Sequence, residues 1–293
     1  ISELKGELPQ GKLGEMEVGR LIMGHNLIWG TAHARDLHYV RQLLLQYNTE
    51  ERIFQTFSLA EQAGTNMINL TQGKIPLFHK YREMTGSRMK CLPMINLYME
   101  GEDKLRGMKR TVDLGVETIY AHGAHCDNIV RNGRTEILHE AVEYIRSQGC
   151  SAGIGAHSIE VIRACEESGL KPDYYMKTMH HDNYWSAHPR EQRKEFQVIS
   201  QEYTSEYGTY HDNMFDLFPD ETNELVNRLD VPVIGYKVLA AGAILPEDGF
   251  RYAFENGADF ICVGMMDFQV VEDVNLVTEI LNGPLDRKRP WFS

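Results

Sequence analysis

No stretch of this sequence offers the ~18 consecutive apolar residues that a membrane span needs, and no two cysteines are spaced as CxxC. The five cysteines (Cys91, Cys126, Cys150, Cys165, Cys262) are odd in number and scattered, so they suggest neither a disulfide framework nor a thiolate zinc site. Cys91, Cys150 and Cys262 lie in or beside apolar runs and read as small buried hydrophobes. A basic excess is also missing: 30 Lys and Arg stand against 42 Asp and Glu, a net charge of -12, which argues against a nucleic-acid partner. The acidity serves solubility rather than a specific function. The chain does not open with methionine, so a segment ahead of Ile1 is expected to have been removed, by cloning design or by a signal peptidase. That leaves a cytoplasmic and an exported protein equally open.

What is present is an ordinary globular composition, 42% hydrophobic and 25% charged, over 293 residues. One local pattern recurs. A helical stretch ends at glycine, and a few residues later a β-rich run begins, as in "EQAGTNMINL", "VDLGVETIYA", "RSQGCSAGIG", "EESGLKPDYYM" and "FENGADFICVG". Glycine closes a helix readily because it accepts the left-handed C′ conformation, and the short apolar run that follows suits a strand buried on both faces. Strands are predicted at 20–24, 66–70, 91–97, 116–122, 151–156, 173–179, 231–237 and 259–264. Between the first two lies "TEERIFQTFSLAEQAG", where Thr49 can cap a helix with Ile53, Phe57 and Ala60 on one face. Eight strand–helix units suit a single α/β domain, a (β/α)8 TIM barrel. A doubly wound sheet fits less well, because no Gly-rich phosphate turn follows the first strand. Two connections, about 25–48 and 182–230, are too long for plain barrel loops. They are expected to be insertions at the C-terminal face, where barrel enzymes build their sites.

The polar residues gather at the same face. The predicted strands end in His25-Asn26, Asn69, Asn96, His122 (with His125 and Asp127 just beyond), His157, and the run His180-His181-Asp182 of "YYMKTMHHD", while the seventh carries Lys237 in "IGYKVLAAG". Any one histidine at a strand end is more often structural than a ligand; so many imidazoles at one mouth imply a shared purpose. Lys177 and Lys237 lie within apolar strands. Outward-facing, each would be a charge buried under helices, at a cost of several kcal/mol; inward-facing, each reaches the polar mouth, which is the reading preferred here. His33, Arg35, Asp36 and His38 could line a lid or solvate a helix start, and His79, His139 and His188 carry no signal.

Several segments in order resemble aldo-keto reductases: "GKLGEMEVGRLIMG", "LAEQAGTNMINLTQG", "IYAHGAHCD", "AGIGAHSIEVIRACEESGLKPDYYM", "VIGYKVLAAGAI" and "FENGADFICVGMMDFQVVEDVN". The resemblance implies the barrel fold and a catalytic tetrad of Asp, Tyr, Lys and His with a nicotinamide cofactor. The tetrad carries over badly. Asn69 stands at the aspartate position, the tyrosine position falls near Lys74 or Ile75, and Pro93 and Met94 stand where the lysine belongs; only His122 matches. His157-Ser158 replaces the pair that holds the nicotinamide amide, and 265–275 offers no Arg or Lys for a 2′-phosphate, so NADP is not expected to bind.

These residues point first to a metal-dependent enzyme. His122, His157, His180 and His181 would supply ligands for a divalent ion, zinc or manganese by choice, with at least two of the four sharing it. Lys177 or Lys237 would shuttle a proton, with His122 beside them as a catalytic group. His25, Asn26, Asn69, Asn96 and Asp127 would bind a small polyhydroxylated substrate, a sugar or keto-sugar undergoing isomerisation, elimination or hydrolysis. If His181 faces inward, so does Lys177; if His180 does, Met176 and Thr178 line the barrel and Lys177 needs a partner elsewhere. The alternatives are a nicotinamide-dependent reductase with His122 as proton donor, and a non-catalytic ligand-binding barrel. The oligomeric state is not legible.

Overall fold

The computed structural model describes residues 1–34, 37–101, 103–196 and 213–292. The chain begins with an antiparallel hairpin, β1 (Gln10–Leu13) and β2 (Met16–Gly19). Eight parallel strands follow and close on themselves: β3 (Leu21–Gly24), β4 (Met67–Thr71), β5 (Lys90–Ile95), β6 (Thr118–Ala121), β7 (Ser151–Ala156), β8 (Tyr174–Thr178), β9 (Val233–Tyr236) and β10 (Phe260–Gly264). They run in chain order around the barrel, and β10 pairs with β3 to shut it. This is the (β/α)8 fold expected, with each strand within two residues of its predicted bounds at the N-terminal end.

Alternation along each strand builds two cores. Ile22, Met67, Leu92, Tyr120, Tyr174, Met176, Ile234, Phe260 and Cys262 fill the interior, joined by Leu13 and Val18 of the hairpin, which therefore packs into the barrel. The intervening residues, such as Leu21, Ile68, Ile119, Ile154, Tyr175 and Ile261, face the helices. The first long helix beside the barrel, α2 (Glu50–Gln62; α1 is His38–Tyr47), shows the logic. The Thr49 side chain accepts from the Arg52 N–H at its start, and Ile53, Thr56, Phe57 and Ala60 are buried. Burying one side chain of the size of Ile or Phe contributes ~1.5–3 kcal/mol.

Gly153 of β7 shows how tightly the interior is filled. A Cβ there would lie 2.3 Å from the Tyr174 ring, and the Thr118 hydroxyl, 2.7 Å from the Tyr174 hydroxyl, holds that ring in place. Gly153→Ala is therefore expected to destabilise the protein by ~1–3 kcal/mol, as overpacking of a closed core does. Urea denaturation checks this; an unchanged midpoint would mean that Tyr174 moves freely.

Candidate active site

The C-terminal ends of the barrel strands bring most of the expected polar residues together. His122 follows β6 at the N-cap position of α5 (Gly123–Arg131; α3 is Ile75–Thr85 and α4 Arg106–Val112), without a side-chain capping bond, and Asp127 of this helix is buried against β7. The Asp127 carboxylate accepts three hydrogen bonds: from the His157 Nδ1–H at 2.9 Å, and from the backbone N–H groups of His157 and Ser158 at 3.1 and 3.0 Å. Asp127 is thus an orienting group for His157 rather than a substrate contact. Because Nδ1 carries the proton, Nε2 of His157 presents a lone pair. Gly123 makes room for this: a Cβ there would lie 2.7 Å from the Tyr236 hydroxyl and 3.0 Å from His157 Nδ1.

His25 is fixed by the same device. Asn69 donates from Nδ2 to the Leu92 carbonyl at 2.9 Å and to the Tyr120 hydroxyl at 3.0 Å, so its Oδ1 accepts from His25 Nδ1 at 2.8 Å. Nε2 of His25 is left as an acceptor. A third imidazole, His125, donates from Nδ1 to the Leu97 carbonyl at 2.5 Å. His122 lies between these groups, its ring centroid 5.5 Å from that of His125 and 6.4 Å from that of His157. Its Nδ1 is buried with no partner among the described residues. Burial, reinforced by the neighbouring imidazoles, pushes His122 down to about 3, and burial likewise holds His25 and His157 below the usual imidazole range, the latter in spite of Asp127. His25, His122 and His157 are therefore neutral at pH 7.

Lys237 stands just past β9, in the left-handed region at φ 55°. Its Nζ is 2.7 Å from His33 Nε2 and 4.0 Å from the centre of the Phe215 ring. It makes no ion pair with a carboxylate among the described residues, and burial pushes its ammonium down to about 7. Its charge helps hold His25, His33, His122 and His157 below the usual imidazole range. Asn26 reaches the same corner, its Nδ2 3.2 Å from His33 Nε2. Of the expected substrate contacts, Asn96 is exposed beyond β5 and makes no side-chain hydrogen bond among the described residues.

Three expectations for "YYMKTMHHD" need correction. Lys177 does not enter the mouth. Tyr174 and Met176 point into the barrel and Tyr175 points out, so parity puts Lys177 on the outer face, fully buried. There its Nζ donates to the Thr178 carbonyl at 2.8 Å, the Thr178 hydroxyl at 2.9 Å and Asp216 at 3.2 Å, which uses all three protons. His180 is also fully buried, and its Nε2 accepts from the backbone N–H groups of Phe215 and Asp216, both at 3.0 Å, while Nδ1 donates to the His181 carbonyl. With both ring nitrogens engaged, it offers no lone pair to a metal. His181 turns to Tyr252, 5.5 Å between ring centroids, and its Nδ1 accepts from the Asn183 N–H. Among the described residues, no group of three or more His, Cys, Asp or Glu is arranged to hold a metal ion.

His33, Tyr120, Tyr236 and Phe215 complete the chamber without a local motif to announce them. Of these, His33 alone carried a sequence signal, as one arm of the choice between lid and helix start. Arg35 and Asp36 lie outside the described residues.

No protein-family model matches the chain, and no curated protein sequence matches it significantly. Solved structures do resemble it. A mandelate oxidase mutant with a C4a-hydroxy-FMN adduct superposes with a TM-score of 0.51 at 12% identity, over 96% of this chain and 79% of its own. An aldo-keto reductase from a Medee basin deep-sea metagenome library gives 0.49 at 11% identity over 97% of both chains. The N-acetylneuraminic acid synthetase of Leptospira borgpetersenii serovar Hardjo-bovis gives 0.47 at 11%, over 95% of this chain and 90% of its own. At such identities the likeness is one of fold: a TIM barrel, on which many chemistries are built.

Proposed function

We propose that the barrel mouth is the active site of an enzyme that moves a proton next to the carbonyl of a small polyhydroxylated substrate, a sugar or keto-sugar, with Lys237 as the general base. The observation that carries this reading is the placement of the Lys237 amine: half-buried at a strand end in an unfavourable backbone conformation, without a carboxylate partner among the described residues, 2.7 Å from His33 Nε2 and 4.0 Å from the Phe215 ring, where burial pushes its ammonium down to about 7. An amine tuned to the working pH is populated in its basic form and still drives proton transfer. Lys237 would take the proton from the carbon beside the carbonyl, and the electron pair would move onto the carbonyl oxygen. An N–H of neutral His122 would stabilise that oxygen; the hydroxyl proton of the adjacent carbon would then pass to it as the new carbonyl forms, and Lys237 would return its proton to the former carbonyl carbon. His25 and His157, each with Nδ1–H tied down, present Nε2 lone pairs suited to accept hydrogen bonds from substrate hydroxyls. Asn26 and Asn69 hold His33 and His25 at the rim.

A second reading has its own observation. A metal-binding histidine commonly has its Nδ1–H anchored by a carboxylate, amide or carbonyl, and His25, His125 and His157 are each held in that way, although the three are not gathered around one point. A divalent ion, zinc or manganese, would then polarise the carbonyl in place of His122. One experiment separates the two. Purified protein is dialysed against EDTA and incubated in heavy water with a panel of aldoses and ketoses, and proton NMR follows deuterium entering beside the carbonyl. Exchange that persists without metal is expected. Exchange that vanishes and returns with zinc or manganese would put the metal first, and its absence for the whole panel under both conditions would remove the proposed reaction.

A further inference from the structure

The residues from Lys177 to Asp182 make a dense polar motif that the proposed chemistry does not use, and all their contacts lead to one place. The Thr178 hydroxyl lies 2.9 Å from the Phe215 carbonyl oxygen, which it can reach as a donor. Lys177 holds the Asp216 carboxylate, and Asp216 in turn accepts from the Thr222 hydroxyl at 2.7 Å in the first turns of α8 (Pro219–Val226; α6 is Glu136–Ser147 and α7 Ile159–Ser168). His180 receives the N–H groups of Phe215 and Asp216. Asp182 accepts from Arg193, whose Nη1 also donates to the Leu217 carbonyl at 2.9 Å. Two side chains of one short segment, Thr178 and His180, thus directly bond the backbone of residues 215–216, in the long connection after β8, while Lys177 acts through the Asp216 carboxylate and Asp182 through Arg193. The Phe215 ring that this backbone carries lies 4.0 Å from Lys237 Nζ and edge-on to His33, 5.2 Å between centroids. Phe215 is 7% exposed, and it packs with Met214 and Leu217 in a small apolar cluster of their own.

We infer that the Lys177–Asp182 segment is a mounting plate for residues 213–218, and that Phe215, carried on it, is the positioning residue that roofs the Lys237 amine and keeps water from it. A single aromatic side chain would otherwise be a weak way to seal a chamber, since a loop that moves by a few tenths of a nanometre readmits water. Here Lys177 and His180 are buried with their nitrogens fully engaged, and Asp216 joins Lys177 to Thr222 through Oδ1 while its buried Oδ2 has no partner among the described residues, so moving the backbone under Phe215 would leave further buried polar groups unpaired. The groups facing Lys237 are the imidazoles of His25, His33, His122 and His157, all neutral, so the roof acts mainly by excluding solvent; the cation–π contact opposes it in part by favouring the ammonium.

The inference rests on Lys237 being the base, and its test reads the amine without needing turnover. In protein with isotope-labelled lysine side chains, NMR follows the Lys237 titration, assigned by its loss in Lys237→Arg. Phe215→Ala is expected to move the midpoint up from about 7 by one unit or more, toward the ordinary lysine value of ~10.4. Phe215→Leu, which keeps an apolar cover, is expected to restore most of the lowered value. Asp216→Asn, which loosens the mount without changing its shape, should also move the midpoint up, and it serves if Phe215→Ala does not fold. A Lys237 midpoint that stays within about 0.3 unit of wild type in folded Phe215→Ala and in Asp216→Asn overturns the inference. If the midpoint moves but no sugar exchanges deuterium, the roof stands and the base reading falls.

Discussion

Lys237→Gln is expected to lower solvent-deuterium exchange by ~10²–10⁴-fold, the range typical for loss of a general base, while leaving the circular dichroism and the urea midpoint at or above wild type. Lys237→Arg should lose as much, because a guanidinium stays protonated at pH 7 and cannot take a proton. The wild-type rate should rise with pH through a midpoint near 7, following deprotonation of an amine that burial holds down to about 7. The backbone supplies an independent check. Lys237 lies at φ 55°, where a side chain costs ~1–2 kcal/mol that glycine does not incur. Lys237→Gly should therefore be inactive yet more stable by about 1 kcal/mol. A Lys237→Gln enzyme with wild-type exchange would end the proposal.

The barrel is legible in the sequence because its signals are local. Most helices announce their end with glycine, α1 and α8 excepted, each strand is a short apolar run, and the count of eight then selects the closed architecture. The concentration of histidines at strand ends is legible for the same reason, and it leads to His25, His122 and His157. What parity does inside a strand end is less legible. Lys177 reads as inward-facing because an outward lysine should meet helices and no partner; the partner, Asp216, is supplied by a loop 39 residues further on, which no local pattern reveals. His180 misleads in the same way. It reads as a ligand by its place in the chain, and it is consumed by two amides of that same loop. The β1–β2 hairpin, with strands of four residues each, gives too short an alternation to stand out from the loop before the first barrel strand.

His180 should also dominate part of the acid sensitivity. Its Nε2 must remain unprotonated to accept two N–H groups, and burial pushes it down to about 3. In the unfolded chain an imidazole titrates near 6.5. The native state therefore binds fewer protons than the unfolded state between these values, and the contribution is whole above about 6.5 and is lost as pH falls toward 3. At pH 4.5 that amounts to roughly 3 kcal/mol for this one group. His180→Gln keeps an acceptor for the amides and removes the titration. Urea denaturation at pH 7 and pH 4.5 should show a loss smaller by about that amount in the variant than in wild type, since the carboxylates respond alike in both. Equal losses would mean that His180 is free to protonate in the folded protein.

The pairing of β10 with β3 has a consequence for biosynthesis. It joins Leu21 to Ile261, so the last seam waits for a strand some 240 residues behind the first. At 5–20 residues per second a ribosome needs roughly 12–50 s to supply that stretch. Throughout that time β3 has a bare edge, and bare edges recruit whatever strand is nearest. The hairpin emerges earlier still, with Leu13 and Val18 ready for an interior that does not yet exist. A nascent chain of this protein is thus a natural client for chaperones until its final fifth has been made.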